Sequence, residues 1–210
     1  MGAMTRFDRR DFGLALAAMT LVVLASNILV QYPFAYLDLG DYLTWGAFTY
    51  PFSFLITDLS NRRFGTAGAR RVVYAGFVLA VILSVALATP RIAIASGAAF
   101  LVAQLLDIRI FARLRDRAWW LPPFVSSVIS SALDTAIFFS VAFYCGLIPG
   151  TDATISALLG SVGIADSCIA LPWTKLAVAD YGVKLLLATI SIAPYGVILS
   201  LMRRPAAQRA

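Results

Sequence analysis

Six stretches of the chain, roughly 11–31, 43–63, 69–89, 91–113, 122–146 and 176–201, are apolar over the length that a helix needs to cross a bilayer. That length is about 20 residues at about 1.5 Å each. Short polar segments rich in arginine separate most of them. The pattern predicts an all-α integral membrane protein: a single polytopic domain over 1–210, folded as a bundle of about six transmembrane helices. One connection, 147–175, is long. It carries Gly150, Gly160, Gly163 and Pro172 around an apolar middle from Ile155 to Leu171, and reads as an extracytoplasmic surface helix or a re-entrant one. The first apolar stretch is too long for the core of a signal peptide and lacks an A-x-A site followed by a polar mature chain, so it is expected to stay as a span.

Polar residues inside these spans recur at helical spacing. An ionisable group at membrane depth costs a few kcal/mol and turns away from lipid, so each is a candidate for function. Span five carries Ser127, Ser130, Ser131 and Asp134 on one stripe, with Phe138 one turn on. Asp134, near mid-span, reads as a ligand-binding or proton-carrying carboxylate, or as one held structurally by serines or by Lys184. Span six presents Asp180, Lys184, Ser191 and Tyr195 on one face. Asp180 and Lys184 lie one turn apart, so a self-contained ion pair is the competing reading. Span two places Tyr50, Phe54, Asp58 and Asn61 together, with Pro51 as an expected kink. Span four places Gln104 and Asp107 with Gly97, Phe100 and Phe111. Asp58 has a structural alternative in Arg62, and Asp107 in a nearby arginine. Asn27 and Gln31, at the end of span one, either line a site or join helices.

These groups lie at different depths. Asn27 and Lys184 fall in the outer half, Asp134 near the centre, and Asp58, Gln104 and Asp107 in the inner half. A polar series across a bilayer reads as a solute pathway rather than an anchor. Tyr50, Phe52 and Phe54 add flat rings that can stack on a planar ligand.

Charge sets the orientation. Of the 17 basic residues, 14 lie on one side: Arg6, Arg9 and Arg10, then Arg62, Arg63, Arg70 and Arg71, then Arg109, Arg113, Arg115 and Arg117, then Arg203, Arg204 and Arg209. Arg91 and Lys175 lie on the other, and Lys184 within a span. The positive-inside rule places both termini in the cytoplasm. The net charge of +6 is thereby a topology signal, and no nucleic-acid partner is expected. Trp119 and Trp120 suit an interfacial aromatic belt.

Composition narrows the chemistry. The chain is 60% hydrophobic and 13% charged, has no histidine, and its 11 acidic residues are all aspartates. Histidine-based metal sites and Ser-His-Asp triads are therefore excluded. No G-x-x-x-x-G-K-[ST] run is present, so ATP hydrolysis by a P-loop is excluded as well. Neither catalysis nor a bound metal or cofactor is expected. Cys145 and Cys168 lack C-x-x-C spacing and read as a disulfide or as two inert apolar cysteines.

Several stretches resemble the queuosine precursor transporter family, a group also described as vitamin-uptake-like. They are Ser26–Pro33 (SNILVQYP), Thr44–Gly65 (TWGAFTYPFSFLITDLSNRRFG), Gln104–Arg115 (QLLDIRIFARLR), the Ser130–Tyr144 stretch around Leu133-Asp134-Thr135, and Asp180–Lys184 (DYGVK). They occur in the family's order. The resemblance implies uptake across the bacterial inner membrane of 7-cyano-7-deazaguanine or 7-aminomethyl-7-deazaguanine, precursors of a tRNA nucleoside. It also implies distant kinship to the substrate-binding subunits of energy-coupling-factor vitamin transporters. A stand-alone secondary or facilitative carrier is thus the first reading, a binding subunit that needs a separate ATPase the second, and an intramembrane enzyme the third. Self-association is left open. Deazaguanines present N–H donors beside a carbonyl acceptor. A carboxylate accepts from the donors, and an amide or ammonium donates to the carbonyl.

Overall fold

The computed structural model describes residues 6–30, 32–36, 43–87, 90–143 and 173–203. Helix α1 (Arg6–Leu29) leads through an isolated antiparallel bridge, Pro33 to Thr44, into the one-turn α2 (Gly46–Thr49). Then follow α3 (Phe52–Leu87), α4 (Pro90–Leu114), α5 (Leu121–Phe143) and α6 (Trp173–Arg203). Pro90 opens α4, where the N–H that proline lacks has no helical partner anyway. Most of the expected 147–175 connection, both cysteines and Gln31 lie outside the described residues.

Among the described residues, five helices are long and apolar enough to cross a membrane: Arg9–Leu29, Gly46–Leu83, Ile92–Leu114, Leu121–Ala142 and Thr174–Met202. The sequence pattern expects six, and the difference sits in α3. The expected spans 43–63 and 69–89 both fall on the stretch Gly46–Leu83. At 38 residues a straight helix would measure about 57 Å against a hydrocarbon core of about 30 Å. It is not straight. Gly65 stands at φ 69°, ψ −178° inside α3, a region open essentially to glycine alone.

The contacts on either side of Gly65 show what this break does. Before it, Ser53 and Thr57 bond Gln104, Asn61 bonds the Ile108 carbonyl and Arg62 that of Arg115. That arm runs in the same direction as α4. After it, Gly76 faces Phe100, while Phe77 and Val81 face Gly97. That arm runs against α4, so the chain reverses at Gly65. A side chain there would be strained by about 1–3 kcal/mol. Gly65→Ala is expected to lower stability by that amount, read as a drop in the thermal midpoint of the detergent-solubilised protein. An unchanged midpoint would show that the reversal does not depend on this conformation.

Burial in the bundle is inverted relative to a water-soluble protein. Leu14, Leu21, Val78, Ile82, Ile129, Val178, Leu186 and Val197 point outward. The buried set includes Ser53, Thr57, Asp58, Asn61, Gln104, Asp107, Ser126, Ser127, Ser130, Ser131, Asp134, Thr135 and Lys184. Only lipid makes this arrangement favourable, because hydrocarbon offers polar groups no partner and forces them to find one another inside. The chain is a multi-pass membrane protein on this ground. An apolar core of Met19, Val23, Val72, Val73, Phe100 and Ile108 joins α1, α3 and α4 beside the polar interior.

The end of α1 and the start of α2 touch closely. A Cβ on Gly46 would come within 2.9 Å of the Val30 backbone, and Ser26 Oγ donates to Thr49 Oγ1 at 3.0 Å. This clamp places Tyr50, the next residue, against the middle of α5.

Candidate functional site

Tyr50 reaches α5 from the start of α3, and its hydroxyl donates to Asp134 Oδ1 at 2.9 Å. The other oxygen of Asp134 accepts from Lys184 Nζ at 2.8 Å. Lys184 also bonds Asp180 Oδ2 at 2.5 Å and Thr135 Oγ1 at 3.0 Å. Its three N–H donors are thereby all used. Thr135 closes the ring by donating to Asp180 Oδ2 at 2.7 Å. Asp134 and Lys184 are 3% and 4% exposed, so the ion pair is deep in the bundle. Both structural alternatives for these residues are present at once, because Lys184 pairs with Asp180 on its own helix and with Asp134 across to α5.

Aromatic rings wall this cluster. Lys184 Nζ lies 5.6 Å from the centre of the Tyr50 ring, within cation–π range. Phe54 and Phe100 stand edge-on to Tyr50, each with ring centres 6.2 Å away. Phe52, expected beside them, points outward and is 39% exposed. It lies two residues from Phe54, on the opposite side of the helix.

A second polar group lies toward the other end of the same arm of α3. Asp58 accepts from Ser126 Oγ at 3.2 Å and from Ser127 Oγ at 3.4 Å. Asp107, on α4, is fully buried and interacts electrostatically with Asp58 and Ser126. The expected arginine partners do not materialise. Arg62 donates to the Arg115 carbonyl and Arg115 to the Arg62 carbonyl, both at 2.7 Å. Among the described residues neither aspartate has an ion-pair partner.

A cavity of about 10 Å³, room for roughly one water, lies between the two groups. Pro51, Phe54, Leu55, Asp58, Pro123, Ser127, Ser131, Lys184, Ala188, Ser191 and Ile192 line it. It touches both Asp58 and Lys184, so one charged residue of each polar group faces the same internal space.

The remaining sequence candidates are placed elsewhere. Gln104 donates to Ser53 Oγ at 2.7 Å and accepts from Thr57 Oγ1 at 2.6 Å, clamping α4 to α3. Asn27 donates to the Val23 carbonyl of its own helix at 2.9 Å. Sequence reasoning passed over Thr135 and Ser126. Thr135 continues the series Ser127, Ser131, Thr135 at every fourth position, a signal that was available. Ser126 is one residue off the stripe and is brought to Asp58 only by packing.

Known proteins carry the same arrangement of sequence. Residues 44–89 and 83–198 match the family described as "Putative vitamin uptake transporter". The chain is 36% identical to the queuosine precursor transporter of Escherichia coli over 169 residues, covering 70% of this chain and 74% of that protein. It is 38% identical to a probable queuosine precursor transporter of Haemophilus influenzae over 154 residues, covering 59% of this chain and 66% of that one. A probable queuosine precursor transporter of Bacillus subtilis is 30% identical over 164 residues, covering 64% of this chain and 71% of that one. No solved structure matches the chain. With its polar-cored bundle of membrane-spanning helices, the chain belongs to the queuosine precursor transporter family, a vitamin-uptake-type group of membrane transporters rather than enzymes.

Proposed function

We propose that this protein imports queuosine precursors, 7-cyano-7-deazaguanine or 7-aminomethyl-7-deazaguanine, across the bacterial inner membrane as a secondary or facilitative carrier. The observation that carries the reading is the buried Asp134–Lys184–Tyr50 cluster. A deazaguanine offers an amine and a ring N–H to a carboxylate, and a carbonyl to an ammonium, in one plane. Asp134 supplies the acceptor, Lys184 the donor and Tyr50 with Phe54 the aromatic walls. Asp180 holds Lys184 in place.

The cavity beside Lys184, about 10 Å³, is far below the size of a bicyclic base, and ligand sites run to roughly 300 Å³ or more. The described arrangement is therefore a closed one. Binding requires α3, α5 and α6 to part, and the base then takes over partners that Asp134 and Lys184 now give each other. In the membrane we read the reversal at Gly65 as dividing α3 into two crossings, making six in all. The 14 basic residues on one side, against two on the other, support a topology with both termini in the cytoplasm. No nucleic acid takes part, and the whole chain acts as one domain.

The test uses a host that lacks both its own precursor transporter and precursor biosynthesis. Expression of this chain is expected to restore queuosine to tRNA when either base is supplied in the medium. Unmodified tRNA in cells whose membranes contain the protein would refute the substrate assignment. A ring lacking the exocyclic amine is expected to compete poorly. It offers one donor fewer and leaves a buried carboxylate oxygen unpaired.

A further inference from the structure

The cavity between the two polar groups is a seam shared by three helices. Phe54 and Asp58 face it from α3, Ser127 and Ser131 from α5, and Lys184 and Ser191 from α6. Lys184 joins it to the cluster that the proposed base would occupy. Asp58, which belongs to the second polar group, is 1% exposed. Its carboxyl oxygens receive the hydroxyls of Ser126 and Ser127, yet it has no ion-pair partner among the described residues. Arg62, one turn away on α3, is held by the Arg115 carbonyl. Asp107, also buried, stands on α4 and does not line the cavity. A buried acidic group without a cation is costly, and its presence calls for an explanation.

The proposed base has a group that suits such a residue. Around the rim of a 7-deazaguanine come the exocyclic amine and ring N–H, then the carbonyl, then the arm at position 7. The protein offers Asp134, Lys184 and Asp58 in the same order, because Lys184 touches both Asp134 and the cavity that Asp58 lines. The lengths agree as well. Asp134 and Ser127, the serine that Asp58 binds, both lie on α5, and their seven-residue separation is about 10 Å along the axis. An arm of two heavy atoms ends about 8 Å from the exocyclic amine, and a hydrogen bond at each end adds about 3 Å. A base held at Asp134 therefore extends its arm toward Asp58.

The two arms differ in what they bring there. An aminomethyl arm ends in an ammonium at neutral pH, as a primary alkyl amine does. A cyano arm ends in a bare acceptor, which a carboxylate opposes. The surroundings tolerate another positive charge, since Asp134 and Asp180 already set two carboxylates against the one ammonium of Lys184.

We infer that Asp58 is the specificity residue for the arm at position 7, selecting an arm that carries an ammonium over the cyano arm. The inference rests on the transport reading above and deepens it: the aminomethyl base is the preferred substrate. Ser126 and Ser127 are positioning residues that act through the Asp58 carboxylate. The cavity of about 10 Å³ is too small for the arm, so the arm enters by the same parting of α3, α5 and α6 that admits the base. Its ammonium then supplies the counter-charge that Asp58 lacks.

The test is equilibrium binding, to the purified full-length protein, of three 7-deazaguanines that differ only in the arm: aminomethyl, hydroxymethyl and cyano. The hydroxymethyl arm matches the aminomethyl arm in length and carries no charge. The unaltered protein is expected to bind the aminomethyl base at least about tenfold more tightly than either of the others, the worth of one charge-assisted hydrogen bond. Asp58→Asn is expected to lose that advantage for the aminomethyl base alone and to bind the three about equally. Equal binding of the aminomethyl and hydroxymethyl bases by the unaltered protein overturns the inference, whatever the variant does. An aminomethyl preference that survives Asp58→Asn overturns it too. If the unaltered protein binds none of the three bases, the transport reading is refuted and the inference falls with it.

Discussion

Lys184→Met is expected to abolish transport and to cost about 3–5 kcal/mol of stability, the usual effect of removing one partner from a buried ion pair. The reason is the placing of the ammonium. It bonds Asp134, Asp180 and Thr135 at 2.8, 2.5 and 3.0 Å. Methionine fills similar volume but leaves two carboxylates facing each other across Thr135 with no positive charge between them. Thr135 has one proton to donate and already gives it to Asp180. Asp134 would keep only the Tyr50 hydroxyl. The measurement is thermal unfolding of the purified protein together with uptake normalised to protein in the membrane. Adding Asp134→Asn to Lys184→Met removes one of the stranded charges and is expected to recover part of the stability while leaving uptake absent. If Lys184→Met alone unfolds like the unaltered protein, the ion pair contributes little to the closed state. Lys184→Arg is no rescue, because a planar fork cannot direct donors to three groups gathered about one point.

Much of the bundle was legible in the sequence because the bilayer imposes a length. Apolar stretches of span length fall on α1, α4, α5 and α6. The two expected spans on either side of 64–68 became two arms of α3, because helical hydrogen bonding continues up to Gly65 and resumes directly after it. Arginines at 62, 63, 70 and 71 signal the end of a crossing. They do not reveal that a single glycine at positive φ makes the turn.

The site was legible in part. Helical spacing put Asp134 on the serine stripe and Lys184 one turn from Asp180, and lipid forces such groups inward. What spacing cannot supply is the rotation of one helix against another. Asp58 had a local partner available in Arg62, one turn away. It is met instead by Ser126 and Ser127, 68 and 69 positions along the chain. Gln104 had the look of a ligand-binding amide for the same reason. An amide between two hydroxyls is also what holds helices together where water is absent, and its partners Ser53 and Thr57 appear only once α3 and α4 are packed.

Asp134→Asn is expected to leave the protein folded and to reduce base binding by a factor of about 100 or more. The closed cluster tolerates the change. A tyrosine hydroxyl accepts as well as donates, so the new amide can turn its NH₂ toward Tyr50 and its oxygen toward Lys184. Lys184 retains Asp180 as counter-charge, and a neutral amide is easier to bury than a carboxylate. The open, loaded state does not tolerate it. The proposed base presents two N–H donors, and the amide answers them with one acceptor and one donor of its own. Hydrogen bonds to a charged group contribute about 1.5–3 kcal/mol each. Losing one and opposing the other therefore exceeds a hundredfold at about 1.4 kcal/mol per factor of ten. Asp180→Asn is expected to weaken binding by about tenfold or less. Asp180 is 16% exposed, bonds Thr135 and Lys184, and acts on the base only by holding the ammonium in place. The two variants are compared by equilibrium binding of labelled 7-cyano-7-deazaguanine to purified protein, with thermal unfolding as the check on folding. Near-normal binding by Asp134→Asn removes this residue from the substrate site. A greater loss from Asp180→Asn than from Asp134→Asn exchanges their roles, making Asp180 the group that meets the base.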